Sequence, residues 1–116
     1  MSSGIHEISA SELAALIDAP DSRGPVFLID VREVDEYVGG HVPGALNVPL
    51  SELTQRVVEC RNPSGGPTYV ICKSGGRSAN ACEFLAGNSL EVVNIAGGTM
   101  VWQMNGRDVV PGGNPL

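Results

Sequence analysis

Cys72-Lys73-Ser74-Gly75-Gly76-Arg77-Ser78 is the stretch of this chain best equipped for chemistry. It follows Tyr69-Val70-Ile71, a short apolar run rich in β-branched residues, and a helical pattern begins at Ser78. Strand, glycine-bearing loop, helix: that order sets a thiol at the mouth of a ring of backbone N–H groups. It also points the positive end of a helix dipole at the sulfur. An unperturbed thiol, with a pKa of ~8.5, is only about 3% thiolate at pH 7. Lowering that value by roughly two units, worth ~2.7 kcal/mol, makes the reactive form dominant. Lys73 and Arg77 flank the loop and would add to the field at Cys72 and hold an anionic substrate. Covalent catalysis by a thiolate is the chemistry these residue types allow.

The elements that must position the thiol can be taken in order. Ile5 to Ile8 reads as a short edge strand. Ser9 stands three residues before Glu12, a capping-box pattern for a helix to about Asp18, with Leu13, Leu16 and Ile17 on its apolar face. Val26 to Val31 is nearly all apolar, as in a strand buried on both faces of a parallel sheet. Asp30 interrupts it, and a carboxylate there needs a partner; Arg32 lies two residues on, on the same side of an extended chain. Glu33 to Val38 reads as a short helix ended by Gly39-Gly40, and His41-Val42-Pro43-Gly44 turns into a strand from Ala45 to Val48. Ser51 opens a helix to about Glu59, with Leu53, Val57 and Cys60 inward. Residues 62–67 are loop. Thr68 to Ile71 is a strand, Ser78 to about Ala86 a helix, and Leu90 to Ile95 a strand. Gly97-Gly98 then turns into a last helix holding Met100, Val101 and Trp102. Residues 5–110 form the core of a single domain, and the tail 111–116 is expected to be loose.

Alternating strands and helices imply α/β architecture around a mostly parallel sheet. Ligands of such sheets bind at the carboxyl ends of the strands. Asp30-Arg32 and Cys72 both fall at such ends.

The whole chain limits what the loop can serve. With 7 basic and 13 acidic residues the net charge is −6, which argues against nucleic acid or an anionic membrane surface as partner. Aromatic residues make up 4%, so recognition by aromatic stacking is not expected. The three cysteines, Cys60, Cys72 and Cys82, are too few and wrongly spaced for a disulfide framework or a metal site. A reducing, cytoplasmic setting without metal or cofactor fits them. No signal peptide and no membrane-spanning segment is visible.

Three motifs in register resemble the rhodanese domain, the sulfurtransferase family. The first is Asp30-x-Arg32-x-x-x-Glu36-Tyr37-x-x-Gly40-His41-Val42-x-Gly44-Ala45. The second is Cys72-Lys73-Ser74-Gly75-Gly76-Arg77-Ser78, like the family's active-site loop. The third is Gly97-Gly98-x-x-x-Trp102, with Gly106 and Val109-Val110 after it. Val42 and Ala96 depart from the commoner isoleucine and leucine, and Asn88-Ser89 is a more polar connection than is usual. The resemblance implies a five-stranded sheet with helices on both faces, and transfer of a sulfane sulfur through a persulfide on Cys72. It implies a small anionic donor such as thiosulfate, and cyanide or a thiol, a protein thiol included, as acceptor. Lys73, Ser74, Gly75, Gly76 and Arg77 would bind substrate, with a structural pairing to an acidic residue of the sheet edge as the alternative for Arg77. Asp30, Arg32 and His41 would form a structural network rather than a Cys-His-Asp triad, and Trp102 would anchor the last helix.

Two other readings stay open on sequence alone. Cysteine phosphatases and arsenate reductases also set a cysteine and an arginine around an oxyanion, but with five intervening residues; here Lys73 to Gly76 make four. A non-catalytic rhodanese-like module for binding or sensing is the other, although such modules often lack the cysteine.

Overall fold

Five short segments of the chain become five strands of one sheet. A computed structural model describes residues 4–116. In it β1 (His6–Ser9), β2 (Leu28–Asp30), β3 (Leu46–Asn47), β4 (Thr68–Ile71) and β5 (Val92–Ala96) pair in the order β1-β5-β4-β2-β3. Every pairing is parallel, which sharpens the mostly parallel sheet expected. The helices are α1 (Ala10–Asp18), α2 (Val34–Gly39), α3 (Gly76–Gly87) and α4 (Gly98–Met104).

Strand alternation splits the interior into two layers. Leu28, Tyr69, Ile71, Val93 and Ile95 face one way and meet Leu13 of α1, Tyr37 of α2 and Trp102 of α4. Ile29, Val70 and Val92 face the other way and meet Ala81, Cys82 and Leu85 of α3. Cys72 continues the alternation of β4 and so falls on the α3 side, where it joins that second cluster. Ser9 caps α1 as its spacing predicts: Glu12 N donates to Ser9 Oγ at 3.0 Å and Ser9 N to Glu12 Oε1 at 3.0 Å.

Three expectations change. The helix placed from Ser51 to Glu59 is instead two tighter 3-10 segments, Leu50–Gln55 and Val57–Cys60, broken at Arg56 with φ −122°. Thr54, Val57 and Val58 are β-branched and weaken an α-helix there, while Leu53 and Cys60 still reach the core. The helix after the cysteine begins at Gly76, two residues before Ser78, because Gly75 adopts φ +108° and lets the chain turn into its first coil at once.

The tail is the third. Gly112 N donates to Val38 O at 2.9 Å, and the Pro115 carbonyl accepts from Gly44 N at 3.0 Å. That carbonyl also faces His41 Nε2 at 3.1 Å. A glycine- and proline-rich tail reads as loose because it has no side chains to bury; here its backbone groups tie it down. Deleting residues 111–116 is expected to lower unfolding free energy by about 1–3 kcal/mol. The measurement is a urea midpoint with unchanged slope, and an unmoved midpoint would mean that the tail bonds contribute nothing.

Candidate active site

The end of β4 aims the chain at the N-terminus of α3, and Cys72 sits at the junction, 1% exposed. Its sulfur accepts from Gly75 N at 3.1 Å and from the Ser78 hydroxyl at 3.3 Å. Burial alone would push this thiol up. The Ser78 hydroxyl and the backbone N–H groups of Ser78, Gly75 and Ser74 outweigh burial and hold it below its ordinary value. Burial does prevail at the other two cysteines, pushing Cys60 up to about 11 and Cys82 up to about 12. All three thiols are free and buried, and only Cys72 is made acidic.

A loop whose N–H groups converge on one atom turns its carbonyls outward, and those carbonyls need donors. The first turn of α4 supplies them. Thr99 N donates to Cys72 O at 2.9 Å and Thr99 Oγ1 donates to it at 3.1 Å; Met100 N donates to Lys73 O at 2.9 Å. The approach is close enough to require glycine at 98. A Cβ there would stand 2.5 Å from Cys72 O and 2.6 Å from Lys73 O, in a backbone with φ +58°.

The cations divide their roles. Lys73 is exposed and lines a groove of about 690 Å³ together with Arg32, Asp35, Met100 and Met104. Arg77, assigned from the sequence to the donor and to the field at Cys72, is turned to Glu36 in a bidentate pair at 2.7 and 2.9 Å. Its partner is thus on α2 rather than at the sheet edge. Neither cation is among the leading causes of the thiol's acidity; neutral donors are.

Asp30 and Arg32 pair at 2.8 Å with Asp30 fully buried, and Arg32 Nη2 also donates to Gly40 O at 2.8 Å. Asn47 Nδ2 ties down the carbonyls of both, at 3.0 and 2.9 Å. His41 stacks on Tyr37 with ring centroids 3.7 Å apart and faces the Tyr37 carbonyl at 2.9 Å. These three residues hold the loop after β2 together, and His41, engaged by Tyr37 and Pro115, makes no triad with Cys72. Among the described residues no group of three or more His, Cys, Asp or Glu is placed to hold a metal ion, and no helix is long and apolar enough to cross a membrane.

Of the residues that complete the site, Ser78 and Glu36 stand inside the motifs without an assigned role, and Thr99 and Asn94 are not marked by them. Asn94 carried a signal like that of Asp30, a polar residue inside an apolar strand.

Comparison with known proteins decides which scaffold presents this thiol. The Rhodanese-like domain family matches residues 9–105. The chain belongs to the rhodanese-like family. A sulfurtransferase of Allochromatium vinosum is 32% identical over 108 residues, covering 91% of this chain and 95% of that protein. The crystal structure of a rhodanese-related protein from Thermoplasma volcanium superposes with a TM-score of 0.78 at 33% identity, over 90% of this chain and 97% of that one. The Bacillus subtilis protein YqhL is 45% identical over 76 residues, 65% of this chain, and the chain spans 59% of its length. The five-stranded parallel sheet and flanking helices of this chain are therefore those of a rhodanese-like domain.

In this rhodanese-like domain the Glu36–Arg77 pair should leave a mark on acid stability. Arg77 beside Glu36 holds its carboxyl down to about 2 from an ordinary 4.5. A depressed folded value means the pair stabilises above the ordinary carboxylate range and fails as pH falls toward the folded one. Side-chain exposures of 37% for Arg77 and 30% for Glu36 keep the effect modest. Urea midpoints measured from 4.5 down to about 2 should fall in wild type, and less steeply in Glu36→Gln. Equal slopes would show that the pair adds nothing to stability.

Proposed function

We propose that the protein is a sulfurtransferase that carries a sulfane sulfur on Cys72 as a persulfide, taking it from thiosulfate or a similar anionic donor. The observation that carries this reading is geometric: Gly75 N and the Ser78 hydroxyl converge on the sulfur of Cys72, at 3.1 and 3.3 Å, at the N-terminus of α3. The Cys72 thiolate attacks the outer sulfur of the donor. An Sγ–S bond forms, the donor S–S bond breaks, and sulfite leaves with the electron pair. N–H groups of the loop from Lys73 to Arg77, with Ser74, Gly75 and Gly76 giving close backbone approach, then hold the terminal sulfur. Cyanide or a thiolate, that of a protein included, attacks this sulfur, breaks the Sγ–S bond and returns the Cys72 thiolate.

Cys72→Ser should abolish thiosulfate:cyanide transfer. Wild type treated with thiosulfate alone should gain the mass of one sulfur atom on the peptide holding Cys72. Wild type that transfers no sulfur and hydrolyses an aryl phosphate instead would overturn the proposal.

Donor recognition rests on Lys73. Arg77 and Arg32 are already paired with carboxylates, and among the described residues Lys73 has no ion-pair partner. A cation beside the cysteine favours thiosulfate over a 3-mercaptopyruvate donor. Lys73→Ala is expected to raise KM for thiosulfate by about three- to tenfold, an interaction of roughly 1 kcal/mol, with a smaller change in kcat. An unchanged KM would reduce the lysine to surface charge.

A further inference from the structure

The carbonyl of Gly75 lies within hydrogen-bond distance of three donors. Ala79 N approaches it at 3.1 Å as part of α3, the Ser78 hydroxyl at 3.2 Å and Asn94 Nδ2 at 3.3 Å. A carbonyl oxygen has two lone pairs. The Ser78 hydroxyl has one proton and two acceptors to choose between, Gly75 O and the Cys72 sulfur at 3.3 Å. When Ala79 and Asn94 fill both lone pairs of Gly75, the Ser78 proton is left for the sulfur.

Asn94 is held for that purpose. It is 2% exposed, on the face of β5 whose neighbour Val92 packs into the apolar layer under α3. The second proton of its amide goes to Glu7 Oε2 at 2.8 Å, and Glu7 is its register partner on β1. Its Oδ1 has no hydrogen-bond partner. Reversing the amide would not help, since it would set that oxygen against the Glu7 carboxylate and the Gly75 carbonyl, acceptors both. A buried amide that leaves its oxygen unmatched is present for its N–H groups.

We propose that Asn94 is a positioning residue of the sulfur-transfer site: by saturating the Gly75 carbonyl it commits the Ser78 hydroxyl proton to the Cys72 sulfur. The proposal rests on Cys72 being the reactive thiol and not on which donor or acceptor it meets. The charged and titratable groups around Cys72 are Lys73 next to it in the loop, Arg77 and Cys82 of α3, which act on it directly, Glu36 of α2 and Asp30 of β2, which act on Arg77, and Glu7 of β1, which acts on Cys82. None of them is substituted in the variants below; Glu7 loses its Asn94 donor in both Asn94 variants, and the double variant with Ser78→Ala separates that change from the effect on the Ser78 proton.

The test is the pH dependence of Cys72 alkylation by iodoacetamide, located by peptide mapping; Cys60 and Cys82, at about 11 and about 12, stay silent where Cys72 titrates. Asn94→Leu removes both amide N–H donors and puts apolar atoms of similar size in their place. The variant should keep a cooperative thermal transition, while its Cys72 alkylation midpoint rises by about one pH unit. Ser78→Ala should raise the midpoint as well, and adding Asn94→Leu to it should change nothing further. Asn94→Ala gives the same reading should leucine disturb the packing. Additive shifts in the double variant, or an unmoved midpoint in both Asn94 variants, would overturn the proposal. Alkylation uses no sulfur donor, so this result stands apart from success or failure of the thiosulfate assay.

Discussion

Turning a loop's N–H groups onto one sulfur obliges the rest of the domain to satisfy the carbonyls that are turned away. Each such carbonyl, left bare in a buried site, would cost about 1–3 kcal/mol. Thr99 and Met100 at the start of α4 take those of Cys72 and Lys73. Ala79 of α3 and Asn94 of β5 take that of Gly75. The site is thus assembled from three elements that meet at the carboxyl end of β4. The close contact of Gly98 with the loop carbonyls shows how little slack the assembly has.

This arrangement explains why the glycine pair before α4 belongs to the site although it touches no reacting atom. Gly97 takes φ +80° with a would-be Cβ 2.5 Å from Val101 Cγ2, and Gly98 follows with its own positive φ. Together they turn the chain sharply enough for the first N–H groups of a helix to arrive at the loop. Trp102, 3% exposed and donating through Nε1 to Asp108 O at 2.9 Å, fixes the other end of that helix in the core.

How much of this is legible in a sequence depends on the range over which each feature is decided. The capping box of α1, the apolar strands and the strand–loop–helix around Cys72 are set by neighbours within a few residues, and pattern alone locates them. Arg77 is different. Beside a cysteine it reads as substrate-binding, and only the tertiary placement of α2 brings Glu36 to it across 41 positions of sequence. The Pro115 carbonyl meets His41 across 74 positions, so no local signal could have tied the tail down. Asn94 marks the intermediate case: its polarity in an apolar strand announces a required partner, but not that the partner is Gly75.

The division of labour between neutral dipoles and charges follows from the chain's acidity. A protein of net charge −6 opposes the formation of a thiolate at long range. That opposition is screened over a Debye length of about 8 Å at physiological ionic strength. Hydrogen bonds of 3.1 and 3.3 Å act inside that distance and away from water, where a dipole aimed at a developing charge is most effective. The donors that hold the thiol down most are neutral, and Arg77, which also acts on Cys72 through its charge, braces α2 against α3 through Glu36. What the loop directs inward is a few N–H groups and one hydroxyl around a single atom, the Cys72 sulfur, with the Arg77 guanidinium engaged by Glu36.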